Sequence, residues 1–265
     1  MEQLNSGYKM DKSLIKAVRE IIIGAGKIAV DARAYGLEIK TKEDNSPVTN
    51  ADIQISDYIF TRLQEIMPSI PVICEERPLV DITDKKQFWL IDPIDGTRSF
   101  IKNNDNFTVN IAMIDNKTPT LGFVYLPAKD RLYFTDENMN LCIQENGQIV
   151  GNNQHKQDGF VAVVSSHNFN SETENYLKEN EFSEIIAVPS SFKLCMIAEG
   201  AGDVYPKFGP TMEWDTAAGH ALVRSVGGKI CTLLGKEMSY AKEGFENPCF
   251  IAANKKWSEH SRIMR

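Results

Sequence analysis

The stretch Phe88-Trp89-Leu90-Ile91-Asp92-Pro93-Ile94-Asp95-Gly96-Thr97 constrains this chain more than any other. It opens as an unbroken apolar run, the pattern of a buried strand. Proline fixes φ and lacks a backbone donor, so the strand is expected to end at Pro93. Gly96 then allows a tight turn, or a close approach of a ligand to the backbone, that a β-carbon would obstruct. Two carboxylates and a hydroxyl are thereby set at the mouth of a strand. Few carboxylates, water and a substrate phosphate are how Mg²⁺ is commonly held.

Asp-Pro and Asp-Gly pairs taken singly are ordinary turn chemistry. Here they have company. Glu75-Glu76 ends an earlier apolar run, Pro71-Val72-Ile73-Cys74, and Trp214-Asp215 opens a later helical segment. Glu75, Asp92, Asp95, Asp215 and a carbonyl of Ile94 exposed by the turn would form an all-oxygen donor set. Such a set suits Mg²⁺ or Mn²⁺ and disfavours Zn²⁺. Crowded carboxylates without a cation are costly, so the site should bind metal avidly or stay partly protonated.

A chain of 265 residues buries a full core, as one large domain or two closely packed ones. No 18-residue apolar run and no charged-then-apolar leader is present, so neither a spanning helix nor a signal peptide is expected. Five widely spaced cysteines, with no metal or redox spacing, read as free thiols in a reducing compartment, the cytoplasm. A net charge of −7 argues against a nucleic-acid surface but permits a small anionic substrate drawn to a bound cation.

The periodicity predicts helices over 11–35, from Val48 through Leu63, over 171–180, 191–199 and 215–226. Asp11 or Ser13 caps the first, and Asn50 or Thr49 the second, which puts Asp52 in its first turn. The first helix has a mixed polar face, Lys12, Lys16 and Arg19 with Asp11 and Glu20, so it reads as core-packed, with peripheral contact at the inner face of the membrane left open. Lys40 to Pro47 reads as a loop. Strands are expected over 71–74, 88–91, 107–114, 121–126, 131–135, 141–143 and 148–149, the last two joined by an Asn-Gly turn. Further strands are expected over 160–164, 185–188 and 203–205, and near Lys229-Ile230 and Phe250-Ile251. The polar stretch Asn152 to Gly159 divides an α+β half with an antiparallel sheet, 1–155, from an α/β half, 156–265. Trp214 reads as core and His220 as a structural histidine.

Asp-Pro-Ile-Asp-Gly-Thr together with Trp-Asp-Thr-Ala-Ala-Gly resembles the paired signature of the lithium-sensitive, Mg²⁺-dependent phosphatase superfamily that includes inositol monophosphatase, and the match runs along nearly the whole chain. The detail is similar to the bacterial 3′(2′),5′-bisphosphate nucleotidase branch. The resemblance implies a layered α-β-α-β-α sandwich of the sugar-phosphatase type and two or three Mg²⁺ ions, with Mn²⁺ able to substitute. It implies Asp52 and Thr97 as the catalytic pair, with the Thr97 hydroxyl on the attacking water. Glu75, Asp92, Ile94, Asp95 and Asp215 would be the metal ligands, and Glu76 would orient a metal-bound water. Substrate contacts would come from Glu75, Ile94, Asp95, Gly96, Thr97, Asp215, Ser190 and Lys193, the last two on a second phosphate. Read from the residues alone, Lys193 is a solvated helix lysine.

The implied reaction removes the 3′-phosphate of adenosine 3′,5′-bisphosphate, with 3′-phosphoadenylyl sulfate as a further substrate and an inositol or other sugar monophosphate as the alternative. Two positions depart from the branch: Lys207 stands where arginine is common, and Val164-Ser165-Ser166-His167 where Ser-Arg-Ser-His is. Both remove a bidentate fork. A non-catalytic binding module is disfavoured because none of the implied ligands is missing. Monomer and homodimer both stay open.

Overall fold

The computed structural model describes residues 11–151, 158–166 and 169–261. Two apolar-faced helices open the chain, α1 (Lys12–Tyr35) and α2 (Asn50–Ile66). Asp11 caps α1 by accepting the Ser13 and Leu14 N–H groups at 2.9 and 3.0 Å. Between the helices lies a correction: residues 40–47 are not simply a loop. β1 (Ile39–Thr41) and β2 (Pro47–Thr49) form an antiparallel hairpin there. Its first strand is wholly exposed, so no apolar alternation marks it.

A seven-stranded sheet follows, ordered β3 (Val72–Cys74), β4 (Gln87–Asp95), β5 (Thr108–Asp115), β6 (Thr118–Leu126), β7 (Arg131–Thr135), β8 (Leu141–Glu145), β9 (Gln148–Val150). All neighbours are antiparallel except β3 and β4. The β8–β9 turn carries Asn146 and Gly147 at φ 49° and 77°, the doubly left-handed geometry that an Asn-Gly hairpin adopts. A short helix, α3 (Thr97–Ile101), leaves the end of β4.

β4 does not stop at Pro93. It runs on to Asp95 through a bulge: Asp92 pairs with Asn110 and Asp95 with Thr108, so Pro93 and Ile94 together oppose Val109. The proline's missing donor falls in the bulge, where no ladder bond is required of it.

The second sheet is ordered β11 (Glu184–Val188), β10 (Val161–Ser165), β12 (Val204–Lys207), β16 (Phe250–Ala253), β14 (Lys229–Thr232). It is parallel among β11, β10 and β12 and antiparallel at β16. Its helices are α4 (Ser171–Glu179), α5 (Phe192–Glu199), α6 (Glu213–Ser225) and α7 (Lys255–His260), and a small ladder pairs β13 (Thr211–Met212) with β15 (Glu246–Asn247). Of the polar stretch expected to divide the two halves, residues 152–157 lie outside the described residues, as does His167.

The layers follow from which faces are apolar. α1 and α2 cover one face of the large sheet, α5 and α6 lie between the sheets, and α4 and α7 cover the far face of the second. The expected five-layered α-β-α-β-α sandwich is therefore present. In β4, Phe88 and Leu90 enter the core between the sheets, while Trp89 and Ile91 enter the core under α1 and α2. A strand buried on both faces is why its sequence is uniformly apolar. The core-packed reading of α1 holds, since Ile15, Val18, Ile21, Ile22, Ala25 and Ala29 all enter that second core.

Candidate functional site

The parallel pairing of β3 with β4 sets Cys74 opposite Ile91, so the residues that follow, Glu75 and Asp92, emerge side by side. The Glu75 N–H donates to the Ile91 carbonyl at 3.2 Å. Across the interface, α6 begins at Glu213, two residues before the expected start, and Asp215 sits in its first turn, accepting the Met212 N–H at 2.8 Å. One carboxylate oxygen each from Glu75, Asp92 and Asp215 lies within 4.8 Å of the others.

Burial raises the carboxyl pKa of all three and repulsion from neighbouring acids adds to it, while at Glu75 the Lys42 ammonium opposes the rise. Asp92 and Asp215 are pushed well above the ordinary carboxylate range. Asp92 is buried, and its Oδ1 has no hydrogen-bond partner among the described residues. A buried carboxylate with an orphaned oxygen, grouped with two other acids, fits a hard divalent cation, and the all-oxygen donors exclude a preference for soft metals.

Asp95 stands beside these three. Its Oδ2 accepts the Ser191 N–H at 2.5 Å and the Ser191 hydroxyl at 2.6 Å. Gly96 takes φ 85°, a left-handed turn natural to glycine, and α3 starts at once. The Thr97 hydroxyl lies 3.0 Å from the Ile94 carbonyl and 3.4 Å from Asp52 Oδ1. Asp52 is buried and its carboxyl pKa is raised, first by that burial. Its other oxygen accepts the Thr49 N–H and hydroxyl at 2.7 and 2.6 Å, while Thr49 caps α2. Of the two residues expected as cap, Thr49 fills the role.

Glu76 stays outside the trio. Its carboxylate meets Lys42 at 2.6 Å, and the same ammonium reaches Glu75 at 2.8 Å. Two carboxylates on one ammonium hold the Lys42 pKa above its ordinary value, against the opposing effect of burial.

The acids open into a cleft of about 260 Å³ whose walls include Arg98, Ser190, Lys193, Tyr205 and Lys207. Lys193 is not a solvated helix lysine: only 5% of it is exposed. Its ammonium donates to the Ser190 carbonyl at 2.6 Å and lies 5.1 Å from the Tyr205 ring centroid. Burial lowers its pKa to about 8, and Lys207, also buried, is shifted the same way. Ser190 has φ 57°, and its hydroxyl donates to the Asn106 carbonyl at 2.6 Å. His220 lies fully buried against Tyr240, 3.0 Å from its hydroxyl, in keeping with a structural histidine.

Residues that contact this site with no expectation attached from the sequence include Lys42, Thr49 in its bond to Asp52, Asn110, Ser191 and, in the cleft wall, Arg98. Asn110 left a signal, being a polar residue amid the buried apolar run of β5. Ser191 read as an ordinary helix-start serine.

A five-layered sandwich whose sheet ends and central helix deliver clustered acids beside buried lysines defines a phosphatase of small phosphate esters. The chain belongs to the inositol monophosphatase family, whose model matches residues 10–265. It is 39% identical over 220 residues to the 3′(2′),5′-bisphosphate nucleotidase CysQ of Escherichia coli O157:H7, covering 82% of this chain and 89% of that protein. The crystal structure of CysQ from Bacteroides thetaiotaomicron, a bacterial member of the family, superposes with a TM-score of 0.81 at 33% identity, covering 94% of this chain and 99% of that one. An IMPase/NADP phosphatase complexed with Mg²⁺ and phosphate shares the fold, with a TM-score of 0.79 at 21% identity over 96% of this chain and 94% of that one. Among the described residues, no helix is long and apolar enough to cross a membrane, and all five cysteines are free.

Proposed function

We propose that this enzyme removes the 3′-phosphate of adenosine 3′,5′-bisphosphate, yielding AMP and phosphate, and accepts 3′-phosphoadenylyl sulfate by the same contacts. The observation that carries the reading is the union of opposite chemistries in one cleft. Glu75, Asp95 and Asp215 line it together with Lys193 and Lys207. The acids suit a cation-bridged reacting phosphate, and the lysines suit a second anionic group on the same molecule. Similarity to the bisphosphate nucleotidases supports the same substrate.

Glu75, Asp92, Asp95, Asp215 and the Ile94 carbonyl would hold Mg²⁺ or Mn²⁺, two or three ions in all. Such ions, when bound, lower the pKa of a water and neutralise charge on the phosphate and leaving oxygen. The protein's own residues then orient and move one proton. Thr97 Oγ1 accepts a hydrogen bond from the attacking water while donating its own proton toward Asp52 Oδ1. Asp52 holds its acceptor role because Thr49 fixes its other oxygen. Water oxygen bonds to phosphorus, and the bond from phosphorus to O3′ breaks. O3′ leaves as a hydroxyl with the proton that the attacking water gave up, so one water is consumed and no other co-reactant is needed. Glu76 would orient a cation-bound water. Free thiols suit a cytoplasmic setting.

The test is Mg²⁺-dependent phosphate release from adenosine 3′,5′-bisphosphate against inositol 1-phosphate, with Asp95→Asn as blank. Preference for the nucleotide is expected. Preference for inositol phosphate would overturn the roles given to Ser190 and Lys193.

A further inference from the structure

Ser191 occupies the N-cap of α5, yet its side chain makes no capping bond. Serine is favoured at that position because its hydroxyl satisfies a free helix N–H. Here the preceding Ser190 hydroxyl takes over part of that duty, accepting the Phe192 N–H at 3.3 Å. The Ser191 hydroxyl is turned instead toward the acids. It lies 2.6 Å from Asp95 Oδ2 and 2.6 Å from the backbone carbonyl of Asp215. Asn110 of β5 donates to it from the other side at 2.9 Å. Both side chains are buried, at 3% and 1% exposure.

A hydroxyl has one proton and two lone pairs. With Asn110 as donor on one lone pair, the single proton is left for Asp95 or the Asp215 carbonyl. The Ser191 N–H and a longer 3.5 Å contact from Asn110 also converge on Asp95 Oδ2. Among the described residues no hydrogen bond reaches Asp95 Oδ1, so one oxygen is held and the other is free. One atom thus ties the last residue of β4 to the first turn of α6, from opposite sides of the interface between the sheets. Breaking a local capping preference marks a position set by another demand.

We propose that Ser191 and Asn110 are a positioning pair: they fix Asp95 and the backbone at Asp215 so that both carboxylates present free oxygens to a divalent cation. This rests on the metal-dependent reading above. Neither residue touches the reacting atoms, so the effect is expected first in cation affinity.

The experiment is calorimetric titration of the metal-free full chain with Mg²⁺ alone, without substrate, alongside its thermal melting. Ser191→Ala keeps the backbone N–H and removes only the hydroxyl. It should weaken Mg²⁺ binding about ten- to a hundredfold, the usual consequence of losing a group that orients a ligand. Ser191→Thr, which restores a hydroxyl, should recover most of that loss. Asn110→Ala should weaken binding too, and the double variant should be little worse than the worse single, since both act through one hydroxyl.

Unchanged Mg²⁺ affinity in a folded Ser191→Ala overturns the proposal, as does a lowered melting temperature with no change in affinity. If Ser191→Thr does not fold, Asn110→Ala and the double variant decide alone. Phosphate release by the wild type from adenosine 3′,5′-bisphosphate is recorded in parallel. A wild type that binds Mg²⁺ but releases nothing retracts the substrate reading and leaves the positioning result standing.

Discussion

Gly219 of α6 faces Leu194 of α5 so closely that a β-carbon at 219 would lie 2.4 Å from the Leu194 β-carbon. Neither atom can swing aside, since both sit directly on their backbones. Gly219→Ala should therefore destabilise the protein by about 1–3 kcal/mol, the ordinary cost of overpacking a filled core. Because α6 carries Asp215 one turn earlier, Mg²⁺ affinity should fall with it. Urea denaturation of the metal-free and Mg²⁺-bound forms checks both, and a midpoint equal to wild type would refute the packing argument.

The acid cluster predicts an inverse relation between charge and stability. Asp92 and Asp215 have folded pKa values raised by burial and mutual repulsion. A raised pKa means that the stabilising form is the protonated one. That contribution is complete below the unfolded value near 3.8 and is lost as pH rises through the folded value. The metal-free protein should consequently lose this contribution as pH rises above about 4, with Mg²⁺ giving a growing gain in melting temperature toward alkaline pH. Asp92→Asn should raise the metal-free melting temperature at pH 8 and abolish most of the Mg²⁺ gain and the activity. Differential scanning calorimetry with and without chelator measures each.

Lys193 makes substrate binding sensitive to alkaline pH. Burial lowers its pKa from 10.5 to about 8, so its charge is present below that pH and fades above it. If it holds a second phosphate, KM for adenosine 3′,5′-bisphosphate should climb above pH 8, while KM for 3′-AMP should not. Lys193→Arg, which keeps its charge, should flatten the rise. Parallel KM profiles for the two substrates would remove Lys193 from that role.

His220 governs stability at the acid side. It is fully buried, and burial lowers its pKa below the ordinary 6.5, with Arg224 and Lys242 adding to the shift and Glu237 opposing it. A lowered pKa keeps its contribution intact above 6.5 and loses it as pH falls toward the folded value. The difference in stability between wild type and His220→Gln should shrink as pH drops from 7 to 5. Denaturant midpoints across that range suffice, and a constant difference would show that His220 titrates alike in the folded and unfolded chain, against the effect of burial.

Much of this architecture is legible in the sequence because apolar periodicity is a local signal. β7 matches residue for residue, and most other strands and helices fall within a few positions of where the pattern put them. The hairpin of β1 and β2 escaped because its first strand is exposed throughout and its second buries only Thr49, too little for a pattern to record. β4 was cut short at Pro93 because the rule against proline in a strand is blind to a bulge, which only the partner strand creates. At the site, Glu75, Asp92 and Asp215 were legible as acids at element ends. Lys42 and Ser191 were not, since each is an ordinary residue made special by groups 33 and 96 positions away. The burial of Lys193 is likewise a fact of tertiary packing.

The bulge of β4 has a consequence for how this motif tolerates change. Side chains alternate along a strand, so acids three residues apart belong on opposite faces, and the extra residue restores the match between Asp92 and Asp95. The motif is thus a counting device as much as a set of side chains. Exchanging Ile94 for another apolar residue alters only what fills the core below it. Straightening the bulge while keeping that three-residue spacing would send the second acid into the hydrocarbon beneath α1 and α2. Backbone geometry at this point matters as much as side-chain chemistry.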